Sequence, residues 1–165
     1  MKLSVVIPVY NESNTVLEII RRVKKESLEK EIIIVDDGST DGTSDLLKNL
    51  DDKKIKVIFL DKNKGKGYAL REAFKHVTGD IVIIQDADLE YHPDEYKILI
   101  EKIVEGKADV VFGTRFLGAH RVFHYYHYLG NKLINFLANV LLDTNLTDMM
   151  TGYKAFKSEV LKKIT

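Results

Sequence analysis

The most informative segment of this sequence is Asp80-Ile81-Val82-Ile83-Ile84-Gln85-Asp86-Ala87-Asp88-Leu89-Glu90. Its four consecutive β-branched residues predict a strand that is buried on both faces. Three carboxylates follow this strand at alternating positions. If the chain stays extended, alternate side chains point the same way, so Asp86, Asp88 and Glu90 can converge on one hard cation such as Mg²⁺ or Mn²⁺. A polar loop that merely carries acidic residues is the alternative.

Size and composition limit the classes of protein to consider. The 165 residues suit one compact domain. Lysine plus arginine and aspartate plus glutamate number 25 each. This balance argues against a protein that coats nucleic acid, and the absence of cysteine excludes disulfides and thiolate metal sites. No apolar run approaches the roughly 20 residues of a spanning helix, so we expect a soluble or peripheral protein.

Strands and helices alternate along the first two thirds of the chain. Apolar runs predict strands over residues 3–9, 31–35, 55–60, 81–84 and 108–112, with amphipathic helices between them. This alternation predicts an α/β fold with a mostly parallel sheet that helices cover on both faces. Ligands of such sheets bind beyond the carboxyl ends of the strands. Four polar loops should therefore face one crevice, over residues 8–12, 36–41, 62–67 and 86–90.

Two of these loops carry further candidate binding residues. Asp36 and Asp37 suit hydrogen bonds from a nucleobase or ribose, and capping of the next helix is the alternative. The segment Gly65-Lys66-Gly67 opens a helix whose backbone amides suit a phosphate. It is a poor dinucleotide fingerprint, because the third small residue is missing. The alternative to a phosphate site is that the three lysines of this loop are simply solvated: Lys62, Lys64 and Lys66.

The last third of the chain differs in character. Residues 129–142 predict a helix with its apolar residues on one side, followed by a loop, a short strand over 153–156 and a helix over 158–164. His120, His124 and His127 have helical spacing, but a zinc site there lacks an obvious fourth ligand. The neighbouring aromatic and basic residues fit a surface that meets lipid headgroups, with core packing as the alternative. They are Phe123, Tyr125, Tyr126, Tyr128, Arg121 and Lys132.

Six motifs in order along nearly the whole chain resemble family 2 glycosyltransferases of the GT-A fold. Within that family they are similar to the branch of dolichyl-phosphate mannose synthase. The matching segments are residues 6–12, 34–43, 63–69, 86–90 with Pro93, 113–115, and Asp148 with 151–153. The resemblance implies an enzyme that transfers a hexose from a UDP-linked or GDP-linked sugar to a polyprenyl phosphate, with inversion at the anomeric carbon.

The resemblance also implies roles for individual residues. Asp86 and Asp88 hold Mg or Mn on the diphosphate, and Glu90 stands where the branch often has a glutamine ligand. Arg115 and Arg121 bind the acceptor phosphate, although histidine occupies position 127, where relatives often carry arginine. The nucleotide sugar is surrounded by Pro8, Tyr10, Glu12, Asp36, Asp37, Gly67, Asp86 and Ala87. The catalytic residues are Asp88, Arg115 and Asp148.

The acceptor decides whether a general base is needed. A phosphate is already anionic near neutral pH, whereas a saccharide hydroxyl, the alternative acceptor, needs a base, and Asp148 is then the candidate.

Polyprenyl-phosphate transfer implies a peripheral protein at the cytoplasmic face of a membrane. Members of this branch usually continue past 151–153, so we expect residues 1–165 to be one catalytic domain truncated at its C-terminus. A remote alternative is a response-regulator-like module, which would carry the acidic pair after its first strand.

Overall fold

Six strands form one mixed sheet in the computed structural model, which describes residues 1–114 and 125–164. The strands are β1 (Leu3–Val9), β2 (Lys30–Asp36), β3 (Ile55–Phe59), β4 (Ile81–Ile84), β5 (Val110–Phe112) and β6 (Lys154–Lys157). The helices are α1 (Val16–Lys25), α2 (Thr43–Lys48), α3 (Lys66–Phe74), α4 (Tyr96–Val104), α5 (Tyr125–Leu142) and α6 (Ser158–Ile164), and a 3₁₀ turn (Pro93–Glu95) precedes α4. The predicted strands and helices are confirmed to within a few residues.

The order of the strands creates a crevice at one edge of the sheet. They lie in the order β3-β2-β1-β4-β6-β5. Strands β1 to β4 are parallel, as predicted, whereas β6 pairs antiparallel with both β4 and β5. The chain moves outward from β1 to β3 and then returns on the other side of β1 as β4. Ligands of α/β sheets bind at such a change of direction, beyond the carboxyl ends of the two strands.

Apolar side chains cover both faces of the sheet, because successive strand residues point to opposite sides. On one face, alternate residues of β1 such as Val5 and Ile7 pack against the apolar stripes of α1, α2 and α4. On the other face, Val6 packs with Ala69 and Ala73 of α3. The apolar sides of α1 to α4 therefore form the core with the sheet, as their helical spacing predicted.

The polar residues between β1 and α1 do not cap the helix. Asn11, Ser13 and Asn14 are residue types that favour an N-cap, but the helix begins after Thr15, which makes no side-chain capping bond. Asn11 instead has a positive φ of 55° and accepts a hydrogen bond from the Thr40 amide at 2.8 Å. The Ser13 amide donates to Asp41 at 3.0 Å. The polar residues after β1 thus join the loop after β2 rather than the helix.

Helix α5 carries its apolar residues on the outside. The predicted helix is confirmed, but from Tyr126 onward its large apolar side chains are between 37% and 84% exposed. At about 100° per residue, eight of them fall within an arc of about 160° that contains no charged residue. We call this arc the outer face of α5: Tyr126, Leu129, Leu133, Ile134, Phe136, Leu137, Val140 and Leu141. Within the described parts of the chain, no helix combines the length and hydropathy of a membrane span.

Candidate active site

A cleft of about 300 Å³ lies at the carboxyl ends of β1 and β4, where the strand order changes direction. Residues from all four predicted polar loops line it: Pro8, Val9, Tyr10, Glu12, Asp37, Asn63, Gly65, Lys66, Ala69, Asp86, Ala87 and Asp88. The prediction that the four loops share one crevice is therefore confirmed. Two of the residues predicted to bind the nucleotide sugar, Asp36 and Gly67, do not line the cleft.

The two residues of the acidic pair have different surroundings. Asp36 is buried and accepts hydrogen bonds from the Ser39 amide at 3.0 Å and from the Ser44 hydroxyl, so it holds its own loop together. Asp37 reaches the cleft, and its two carboxylate oxygens accept hydrogen bonds from the amides of Lys64 and Gly65, both at 2.8 Å. Asp37 therefore fixes the loop that precedes α3.

The segment after β4 does not stay extended. Ala87 and Asp88 lie in a turn, and Leu89 takes a left-handed conformation with a φ of 66°. The Glu90 amide donates to Asp88 at 3.0 Å, and the Glu90 side chain is exposed. The three carboxylates thus do not line up as an extended chain would place them. Within residues 1–114 and 125–164, no three acidic, histidine or cysteine side chains form a metal-binding cluster.

A lysine contacts the first of these carboxylates. Lys66, the first residue of α3, places its ammonium 2.6 Å from Oδ1 of Asp86. Both residues line the cleft, and the Lys66 side chain is half exposed. The alternative that the lysines of this loop are merely solvated is therefore wrong for Lys66.

The buried, stacked pair Tyr91 and Tyr153 lies beside Gly152, which in turn lies against Asp86. The Tyr91 hydroxyl accepts a hydrogen bond from the Gly152 amide at 3.0 Å, and its ring stacks on that of Tyr153 with 5.1 Å between centroids. Gln85, fully buried, donates to the carbonyl of Asp86 at 3.0 Å. Gly152 lies so close that an added Cβ would be 2.0 Å from Oδ2 of Asp86. Only a residue without a side chain fits there while the carboxylate keeps this position.

Two asparagines of α5 hold the loop that contains Asp148. Asn135 brackets Asp148, since it donates to the Thr147 carbonyl at 2.7 Å and accepts from the Met149 amide at 2.8 Å. Asn139 accepts a hydrogen bond from the Leu146 amide at 2.8 Å and donates one to the Leu146 carbonyl at 2.9 Å. The polar side of α5 therefore faces the protein, which explains why its apolar residues face outward. Asp148 itself is buried.

Lys154 was not predicted, although it directly follows the motif at 151–153. Its side chain is half-buried, with the ammonium 4.9 Å from the centroid of the Phe112 ring. Burial and then the charge of Lys66 lower the pKa of Lys154, while Asp148 and Asp86 act to raise it. Two ammonium groups and two carboxylates thus lie near one another, from segments that are far apart in sequence.

Some residues with predicted roles lie outside the part of the chain that the structure describes. Arg115 and Arg121, the predicted acceptor-phosphate residues, lie outside the described residues, as do His120, His124 and Phe123. His127 and Tyr125 belong to α5. The acceptor-phosphate pair and the zinc alternative therefore stay predictions.

Comparison with known proteins gives consistent matches. The family model described as "Glycosyl transferase family 2" matches residues 4–165. A dolichol-phosphate mannosyltransferase of Pyrococcus furiosus is 33% identical over 171 residues, which cover 99% of this chain and 48% of the relative.

Solved structures share the fold. Glucosyl-3-phosphoglycerate synthase from Mycobacterium tuberculosis, solved with Mn²⁺ and UDP, has a TM-score of 0.73 at 24% identity, over 97% of this chain and 58% of that one. A mannosyltransferase from Pyrobaculum calidifontis, solved with GDP-Man and Mn²⁺, has a TM-score of 0.68 at 22% identity, over 98% and 46%. These likenesses confirm the predicted GT-A fold. The chain spans about half the length of the relatives it matches.

Proposed function

The chain belongs to glycosyltransferase family 2, and we propose that it is a metal-dependent, inverting transferase that moves a hexose from a nucleotide-diphosphate sugar to a polyprenyl phosphate. Family membership excludes the response-regulator-like alternative. The observation that carries the proposal is the cleft between β1 and β4, which joins Tyr10, Glu12 and Asp37 to Asp86 and Asp88.

The nucleoside is proposed to lie against the β1 and β2 loops. Tyr10 offers an exposed ring for stacking, and Glu12 and Asp37 offer carboxylate oxygens to donors of the base and ribose. Asp36 supports this site indirectly, because its hydrogen bonds hold the loop after β2 in place. The two structural relatives described above bind UDP and GDP-Man, so they do not decide between uracil and guanine as the base of the donor.

The diphosphate is proposed to lie beside Asp86 and Asp88. Their carboxylates suit a hard cation, and Mg²⁺ or Mn²⁺ commonly binds through one or two protein carboxylates plus phosphate oxygens. Two carboxylates in the cleft therefore fit such an ion without a third protein ligand, and Glu90 is the least supported of the predicted three. When bound, the ion neutralises charge on the departing diphosphate. Lys66 adds a second positive charge at the same place.

The acceptor is proposed to be a lipid phosphate. Its oxygen attacks the anomeric carbon from the face opposite the diphosphate, so the new bond forms as the bond to the diphosphate breaks and the configuration inverts. Such an anion needs no general base. The burial of Asp148 is consistent with this, because a base for a hydroxyl acceptor must reach the acceptor. The relative from Pyrococcus furiosus carries the name dolichol-phosphate mannosyltransferase. Arg115 and Arg121 remain the proposed ligands of the acceptor phosphate.

The outer face of α5 supports peripheral attachment to a membrane. Eight exposed apolar residues without a charge among them suit insertion at a lipid interface better than contact with water. Lys132 lies beside this face with its ammonium 5.5 Å from the Tyr128 ring centroid, as expected for an interfacial pair. We propose that the protein acts at the cytoplasmic face of a membrane.

Nucleotide binding tests the proposal most directly. Isothermal titration with UDP and GDP, each with and without Mn²⁺, should show binding that depends on the metal and ranks the two bases. Asp86→Asn and Asp88→Asn should each remove the metal dependence. Asp45→Asn is the matched control, because Asp45 is an exposed carboxylate on α2. A folded sample that binds neither nucleotide would refute the proposal.

A further inference from the structure

We propose that Lys66 is an exchangeable counter-ion of Asp86. Its ammonium pairs with the Asp86 carboxylate when no metal is bound, and it moves to the diphosphate when metal and nucleotide bind together. This inference rests on the proposed function, specifically on Asp86 as a metal ligand. It predicts that Lys66 opposes binding of the metal alone and favours binding of the metal with a nucleotide diphosphate.

The ion pair occupies the carboxylate that the metal needs. The Lys66 ammonium is 2.6 Å from Oδ1 of Asp86, and the opposite oxygen, Oδ2, lies against Gly152. A divalent ion on this carboxylate would have to approach the ammonium closely, and like charges repel strongly in a partly shielded site. The Asp86 side chain is only 18% exposed, so water screens this repulsion incompletely. The lysine and the metal therefore compete for Asp86.

The backbone is fixed while the ammonium can move. Asp37 holds the amides of Lys64 and Gly65, which sets the position from which the Lys66 side chain starts. The side chain itself is half exposed and lines the cleft. A lysine carries its charge on four flexible carbons, so the ammonium can travel a few ångströms without a change in the loop. A diphosphate placed beside Asp86 would come within its reach.

Lys154 differs from Lys66 in this respect. Its ammonium lies over the Phe112 ring and its side chain is half-buried, so it is held more firmly. Its charge stays near Asp86 and Asp148 in either state. The exchange is therefore assigned to Lys66, and Lys154 supplies a constant background charge.

The reciprocity of coupled binding gives the expected behaviour. If metal displaces Lys66 and the diphosphate accepts it, each ligand raises the affinity for the other. Removing the ammonium should then have opposite effects on the two states. A residue that merely stabilises the fold would weaken both.

Mn²⁺ titration followed by electron paramagnetic resonance measures both states, since the signal of free Mn²⁺ falls as the ion binds. Without nucleotide, Lys66→Met should bind Mn²⁺ about fivefold more tightly than the wild type, because a competing ion pair is gone. With UDP or GDP present, the same variant should bind Mn²⁺ about tenfold more weakly, because a charge-assisted contact to the diphosphate is lost. Lys66→Arg keeps the positive charge, so its Mn²⁺ affinity should stay close to that of the wild type both without and with nucleotide.

Lys64→Met is the matched control, since Lys64 is in the same loop but its ammonium lies over the Tyr68 ring at 4.4 Å. If Lys66→Met and Lys64→Met behave alike in the nucleotide-free titration, the inference is overturned. Absence of Mn²⁺ binding by Lys66→Met without nucleotide overturns it too, because removing the competitor should expose the carboxylate. Asp86→Asn distinguishes a failure of this inference from a failure of the proposed function. If this variant binds Mn²⁺ as the wild type does, then Asp86 is not a metal ligand and the proposed metal site itself fails.

Discussion

Gly152 offers a test of the site that leaves every charged residue in place. An alanine there would put its Cβ 2.0 Å from Oδ2 of Asp86, whereas ordinary contacts of this kind begin at 3.4 Å. The carboxylate must therefore shift by about 1.4 Å, or the Gly152 backbone must move away from Tyr91, whose hydroxyl accepts its amide hydrogen bond. The first change moves Asp86 from the position in which it faces Lys66 and the cleft, and the second removes Gly152 from its place beside that carboxylate.

The effect on binding should exceed the effect on stability. Displacing a group that orients a metal ligand typically lowers metal affinity about 10- to 100-fold, and a misplacement of about 1 Å can lower the rate about 100-fold. A 100-fold loss in kcat/KM corresponds to about 2.7 kcal/mol. The nearest obstacle is the end of a carboxylate side chain, which can rotate, and a Tyr91 ring atom at 3.2 Å needs only a small adjustment. The free energy of unfolding should therefore fall by only about 1 kcal/mol.

Isothermal titration with UDP or GDP and Mn²⁺, together with chemical denaturation, measures both quantities for Gly152→Ala. The matched control is Gly130→Ala on α5, where an added Cβ meets nothing within 4 Å. That change should leave binding unaltered and stabilise the helix by about 0.5–1 kcal/mol. Metal-dependent binding by Gly152→Ala within twofold of the wild type would show that the Gly152 contact does not position Asp86.

Three further predictions concern other parts of the chain. Asn135→Leu should lower the free energy of unfolding by about 2–4 kcal/mol in denaturant titrations, because it leaves two backbone groups beside Asp148 without partners; a loss below about 0.5 kcal/mol contradicts the bracketing role. Asp148→Asn should leave transfer to a phosphate acceptor largely intact, because such an acceptor needs no base, whereas it would abolish transfer to a saccharide hydroxyl for which Asp148 served as the base; severe loss with a phosphate acceptor in radiolabel transfer assays counts against the proposed acceptor. Burial raises the pKa of Glu31, but hydrogen bonds outweigh it and lower the pKa to about 2, so its contribution to stability is present above pH about 4.5 and is lost as the pH falls toward 2. Glu31→Gln should flatten that part of the curve of Tm against pH, and an unchanged acid slope would refute this; the donors to Glu31 are Lys2, Ser4 and Thr78.

The sequence predicted the sheet and its crevice because both follow from local patterns. Short runs of β-branched residues such as Ile81–Ile84 favour buried strands, and polar residues that follow parallel strands meet at one edge of the sheet. Periodicity also identified α5 and the residues of its apolar side. Periodicity says which residues share a face, however, and not which face is covered. The asparagines that turn the polar side of α5 inward act through the backbone of residues 146–149, a partner that no helical pattern specifies.

The segment Asp86-Ala87-Asp88 shows the same division. Its place at the end of a buried strand, and hence in the cleft, was determined by the sequence. Its surroundings were decided by the antiparallel insertion of β6, which pairs Lys154 with Ile84 and so brings residues 148–154 beside Asp86. The fit of Gly152 and the ion pair with Lys66 depend on contacts between segments 20 or more residues apart, and the position of Asp88 depends on the turn after Ala87. Such contacts leave no periodic trace in a single sequence, because the pairing partner of a strand is chosen by the packing of the whole sheet.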